Sequence, residues 1–170
     1  MNRQPILQDD SVILTPLQQD EFEELLAVAS DPLIWAQHPN PDRWKREIFR
    51  TYFDGALASG GAFMIRDKAH RNAIGSTRFY DHDAEASEIK IGYTFFSRNQ
   101  WGNGTNQRVK KLMLDHAFQY VKQVIFHVGA QNLRSRIAMQ RLGAELIREE
   151  DVAYFGEPAK RNAVFRITAP

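Results

Sequence analysis

Two glycines, Gly102 and Gly104, interrupt the run Trp101-Gly102-Asn103-Gly104, and a stretch with helical periodicity follows at once. Glycines there let the backbone turn tightly and bring its N–H groups close to a ligand. The free amides and positive dipole end of the helix would favour an anion such as a pyrophosphate. A purely structural turn accounts for the same residues when they are taken alone. No third glycine completes the dinucleotide-binding fingerprint, and no Gly-Lys-Ser/Thr completes a Walker A loop. A second candidate lies about thirty residues on, where Asn132 can cap a helix that carries Ser135 one turn inside. Taken singly, these two are an ordinary cap and an ordinary helix residue.

Other chemistries are disfavoured by what the chain lacks. There is no Cys, so disulfides, thiolate nucleophiles and Cys-ligated metals are excluded. His116 sits among apolar residues and His127 within a strand, and neither has a second His or a carboxylate at metal-ligand spacing. No metal site is expected. The 22 Lys and Arg balance 21 Asp and Glu without a basic stripe, which argues against nucleic-acid binding. No stretch approaches membrane-spanning length, and residues 1–14 lack the apolar region of a secretion signal, so a cytoplasmic chain with no membrane partner is expected.

The elements that must position Gly102, Gly104, Asn132 and Ser135 can be read from periodicity. Residues 11–14 read as a strand. Phe22, Leu25, Leu26 and Ala29 mark one helical face. Asp31-Pro32 opens a short helix through Trp35. Ile48, Phe49, Tyr52, Phe53, Ala56 and Leu57 mark a stronger helix, stopped by Gly60-Gly61. Residues 62–66, 73–81 and 88–97 read as strands. The glycine loop over 98–104 leads into a long helix carrying Val109, Met113 and Ala117. A strand over 124–128, a helix over 132–142 and a closing hairpin from 146–154 and 163–168 complete the order. These 170 residues fit one domain, 1–170, of α/β (α+β) type: a mixed sheet with helices on its faces.

Together the motifs resemble the GNAT superfamily, and in particular its ribosomal-protein N-acetyltransferase-like (Rim-type) branch. The residues that carry the resemblance are Ile91-Gly92-Tyr93, Trp101-Gly102-Asn103-Gly104, His116-Ala117-Phe118, Asn132 with Ser135, and Leu142-Gly143-Ala144, in family order and spacing. They span 88–146, and Ile74-Gly75-Ser76-Thr77 resembles an upstream family strand. The resemblance implies a mostly antiparallel central sheet flanked by helices on both faces. It implies acetyl-CoA as co-substrate, without a metal, and direct attack by a primary amine in a ternary complex. Backbone at Thr94, Phe95 and Phe96 would bind the pantetheine arm, with an N–H near Phe95 serving the oxyanion. Amides of Trp101, Gly102, Asn103, Gly104 and Thr105 would hold the pyrophosphate. Asn132 would contact pantetheine, and Ser135 would protonate the departing thiolate. A splay between the strand at 88–97 and that at 124–128 would admit the thioester.

The chain departs from the family pattern in two places. Asn99 stands where many members have Gln or Arg, and Lys90 stands where many have Glu. Glu88 is the substitute base expected here, with Asp81, His82 and His38 as alternatives. The acceptor pocket is expected near Trp35, His38, Arg43, Trp44, Arg78 and Tyr80, with Arg43 and Arg78 suited either to an acidic acceptor group or to ion pairs. The acceptor would be a small-molecule amine or a protein N-terminus, and family members are often dimers, which leaves a homodimer open. A non-catalytic acyl-CoA-binding sensor is the competing reading, kept alive by Lys90.

Overall fold

A computed structural model describes all residues, Met1–Pro170. Its strands are β1 (Leu7–Gln8), β2 (Val12–Pro16), β3 (Ala62–Asp67), β4 (Ala73–Asp83), β5 (Glu88–Phe96), β6 (Gln123–Gly129), β7 (Glu145–Val152) and β8 (Lys160–Thr168). Its helices are α1 (Phe22–Ala29), α2 (Pro32–Trp35), α3 (Arg46–Ser59), α4 (Thr105–Ala117) and α5 (Leu133–Arg141). The strands form one sheet in the order β1-β2-β3-β4-β5-β6-β8-β7. Every neighbouring pair is antiparallel except β5 and β6, which run parallel. This is the mixed, mostly antiparallel architecture expected from the sequence. No helix is long and apolar enough to cross a membrane.

The sheet separates two cores. On one face Val109, Met113 and Ala117 of α4 and Met139 of α5 pack on Ile89, Ile91, Val124 and Phe126. On the other, Phe22, Leu25, Trp35, Phe49 and Phe53 from α1, α2 and α3 pack on Met64 and Phe95. Phe49 and Phe53 are fully buried, each contributing roughly 1.5–3 kcal/mol through removal of apolar surface from water. Helix ends follow local chemistry. Asp31 accepts from the Leu33 amide and Pro32 starts α2, while Gly60 closes α3 in the left-handed region at φ 59°.

Two features were not read from sequence. The two-residue β1 is too short to carry a periodic signal. The β4–β5 ladder also shifts register between Ser76 and Arg78, where Tyr93 takes φ 54°. The Tyr52 hydroxyl donates to the Tyr93 carbonyl at 2.6 Å. That bond helps offset the cost of a left-handed conformation in a residue with a Cβ.

Candidate functional site

The site begins where a ladder stops. β5 and β6 pair only through Glu88–Gln123, Ile89–Val124 and Lys90–Ile125. Beyond these pairs the strands run on, unpaired with each other, to Phe96 and Gly129. The wedge between them opens into a cleft of about 300 Å³, walled by Thr94, Phe95, Phe96, Phe126 and Val128. Backbone groups on the facing edges of both strands lack ladder partners there, so an extended polar chain lying in the wedge could bond to them.

One end of the cleft is the start of α4. Gly102 and Gly104 take φ 74° and 86°, and a Cβ built on either would meet nothing within 4 Å. Their backbone thus borders open space. The first α-helical bond of α4 runs from Arg108 N–H to the Gly104 carbonyl at 3.1 Å, so the amides of Asn106 and Gln107 precede it. Both residues line the cleft, with Trp101, Gly102 and Gly104. Asn103 and Thr105 do not. The Asn103 Oδ1 accepts from Thr105 N–H at 3.1 Å and lies 2.7 Å from Thr105 Oγ1. The Thr105 amide, expected to contact the anion, is therefore already used within the loop, whereas those of Asn106 and Gln107 precede the first helical bond.

Asn132 and Ser135 border the same cleft. Asn132 is buried, and its Oδ1 accepts from the Ser135 amide at 3.2 Å as the cap of α5. Beside it the Arg134 guanidinium stacks 3.9 Å from the Trp101 ring centre. Arg134 and Arg141 are on the wall, and no Asp or Glu is. The cleft is therefore electropositive, as a polyanionic ligand requires.

At the other end stand Trp35, His38 and Arg43. Arg43 is not free for an acceptor's acid group. Its Nε and Nη2 donate to Glu157 at 2.7 and 2.9 Å. The His38 Nδ1 accepts from Asn40 N–H at 2.9 Å, and Nε2 faces Arg43 at 3.2 Å. Burial, and then the Arg43 charge, hold the His38 imidazole well below its usual range, so it is neutral.

The remaining expected residues lie off the wall. Arg78 is buried, donates to the Tyr52 carbonyl at 3.2 Å and packs 3.7 Å from the Tyr93 ring centre. The Tyr80 hydroxyl faces His127 Nδ1 at 3.4 Å. Trp44 is partly exposed. Glu88 sits at the closed end of the wedge, where it accepts from Gln123 Nε2 at 3.0 Å. Because it belongs to the paired part of β5, it does not reach the cleft. Asp81 pairs with Lys90 at 2.9 Å, and His82 is exposed.

Sequence reasoning missed Lys110, His127 and Tyr154, all on the wall. Burial and the Lys90 charge lower the His127 pKa. Lys110 is 2% exposed, and its Nζ donates to Thr94 Oγ1 at 2.6 Å. Its signal was present, because Lys110, Met113 and Ala117 share the i, i+3, i+7 spacing of a single helical face. No group of three His, Asp or Glu converges anywhere as metal ligands would.

The family model described as an acetyltransferase (GNAT) domain matches residues 11–145, and the chain belongs to that family. Among solved structures, a GCN5-related N-acetyltransferase from Brucella melitensis superposes with a TM-score of 0.79 at 21% identity, over 97% of this chain and 79% of that one. A Vibrio cholerae protein assigned as a ribosomal-protein-serine acetyltransferase gives 0.77 at 16%, over 99% of this chain and 100% of its own. RimJ of Mycobacterium smegmatis, solved with CoA-disulfide, gives 0.71 at 15%, over 97% and 86%. At such identities these similarities speak to the fold. No curated protein matches the chain.

Proposed function

We propose that the protein transfers an acetyl group from acetyl-CoA to a primary amine, both held in one cleft, in the cytoplasm. The observation that carries this reading is the wedge between β5 and β6. It joins an anion-suited helix start at Gly102–Gly104 to a pocket lined by Trp35, His38 and Arg43. In this reading the amides of Gly102, Gly104, Asn106 and Gln107 bind the pyrophosphate. Backbone of Thr94, Phe95 and Phe96 binds the pantetheine arm, and an N–H near Phe95 receives the oxyanion. Asn132 fixes the arm near α5, and Ser135 donates a hydrogen bond to the sulfur. His127, held neutral by burial, is the base the wall offers for the acceptor's proton. The acceptor in this reading is a small-molecule amine or a protein N-terminus.

Calorimetric titration with acetyl-CoA, beside Gly104→Glu, tests this reading. Micromolar binding by the wild type, lost in a folded variant, is expected. A folded wild type that does not bind would overturn it. A second reading, a non-catalytic acyl-CoA sensor, draws on the absence of any carboxylate from the cleft wall. Binding without turnover against free amines and N-terminal peptides would select it.

A further inference from the structure

Lys110 is a buried cation without a counter-ion. It sits one and a half turns into α4, and no carboxylate acts on it. The groups that face it are the Thr94 hydroxyl at 2.6 Å, the Thr77 hydroxyl at 3.4 Å and the Phe126 ring, whose centre is 5.9 Å away. Desolvation alone moves its pKa, down to about 7. A lysine in such a place would ordinarily be replaced by a hydrocarbon, because burying an unpaired charge is costly.

Its position indicates what it is for. Thr94 and Phe126 both belong to the stretches of β5 and β6 beyond their last pair, so the amine lies inside the wedge, on the way to its apex. A linear thioester entering from the α4 end brings its reacting end to that apex. The geometry points to Lys110 as the proton donor to the sulfur that leaves during acyl transfer, an inference that rests on the acyl-CoA reading above. When the C–S bond breaks, its electron pair stays on sulfur. One N–H proton then passes from the Lys110 ammonium to that thiolate, giving a free thiol and a neutral amine, which water reprotonates. Ser135 cannot be the source of this proton. A serine hydroxyl is a far weaker acid than a thiol, so it can hydrogen-bond the sulfur but not remain deprotonated after giving up a proton.

The test compares CoA with desulfo-CoA, which lacks the sulfur, by calorimetry on wild type and Lys110→Met across pH 6–9. Wild type should bind CoA about tenfold or more tighter than desulfo-CoA, since a charge-assisted bond is at stake. That preference should peak between the Lys110 pKa, about 7, and the thiol pKa, about 8.5. In Lys110→Met it should vanish, with desulfo-CoA binding unchanged. Equal binding of CoA and desulfo-CoA by wild type would overturn the assignment to Lys110 while leaving the acyl-CoA reading intact. Binding of neither would sink the acyl-CoA reading itself. Equal losses for both ligands in Lys110→Met would make Lys110 a merely structural residue. Should that variant fail to fold, the ultraviolet thiolate absorbance of CoA bound to wild type decides. A bound thiol that titrates below free CoA supports the role, and one that titrates with free CoA refutes it.

Discussion

Arg43 and Glu157, far apart in sequence, close a two-bonded ion pair of 2.7 and 2.9 Å whose side chains are 2% and 7% exposed. The guanidinium carbon lies between 5.2 and 5.7 Å from the ring centres of Trp35, Tyr52, Tyr93 and Tyr154. The pair therefore ties the β7–β8 connection to the segment before α3, across the end of the cleft lined by Trp35 and His38. Glu157→Ala would leave the Arg43 charge buried and unpaired, at a cost of about 3–5 kcal/mol. Urea unfolding at pH 7 should show that loss, and Arg43→Met combined with Glu157→Leu should recover most of it. A single variant as stable as wild type would mean that the pair carries little.

Asn132 has two roles that one substitution can separate. Asp caps a helix as well as Asn does, whereas Ala costs about 1 kcal/mol. Asn132→Asp should therefore melt near the wild-type temperature yet bind acetyl-CoA more weakly, because it adds a negative charge to a wall that has none. Asn132→Ala should lose both. Unchanged affinity in Asn132→Asp would remove Asn132 from the binding surface.

Gly75 of β4 pairs with Phe96 of β5. A Cβ there would come within 2.1 Å of the Phe95 carbonyl, so Gly75→Ala must push β5 aside. A stability loss of about 1–3 kcal/mol is expected from the overpacking. Because Phe95 walls the cleft, weaker acetyl-CoA binding should accompany it. Thermal melts and calorimetry on the same sample check both effects.

Acid should loosen the end of the cleft that holds His38. The unfolded chain protonates His38 below about pH 6.5, while the folded protein, through burial and the nearby Arg43 charge, resists. The unfolded state then binds more protons, so this contribution to stability is complete above that pH and is lost as pH falls toward the lowered folded value. His38→Gln should flatten the stability difference between pH 7.5 and pH 5.0 in urea unfolding. An identical slope in the variant would exclude His38 as a source.

The fold was legible because periodicity is local. Val109, Met113 and Ala117, or Phe49 and Phe53, declare a buried face without reference to anything distant. Gly102, Gly104, Asn132 and Ser135 were legible by their types and spacing. The partnerships were not. Nothing in the sequence says that Arg43 meets Glu157, or that Glu88 falls on the paired side of the wedge. The bulge at Tyr93 depends on a register shift against β4, which a single strand's alternation does not reveal.

The interrupted ladder has a mechanical consequence. β1 to β5 form one hydrogen-bonded plate and β6, β8 and β7 another, and only three residue pairs hinge them along their shared edge. An extended molecule seated in the gap takes the place of a missing strand and braces both plates at once. Amides of residues 93–96 and 126–129 should then exchange with solvent more slowly in its presence, so that the occupant becomes part of the scaffold for as long as it stays.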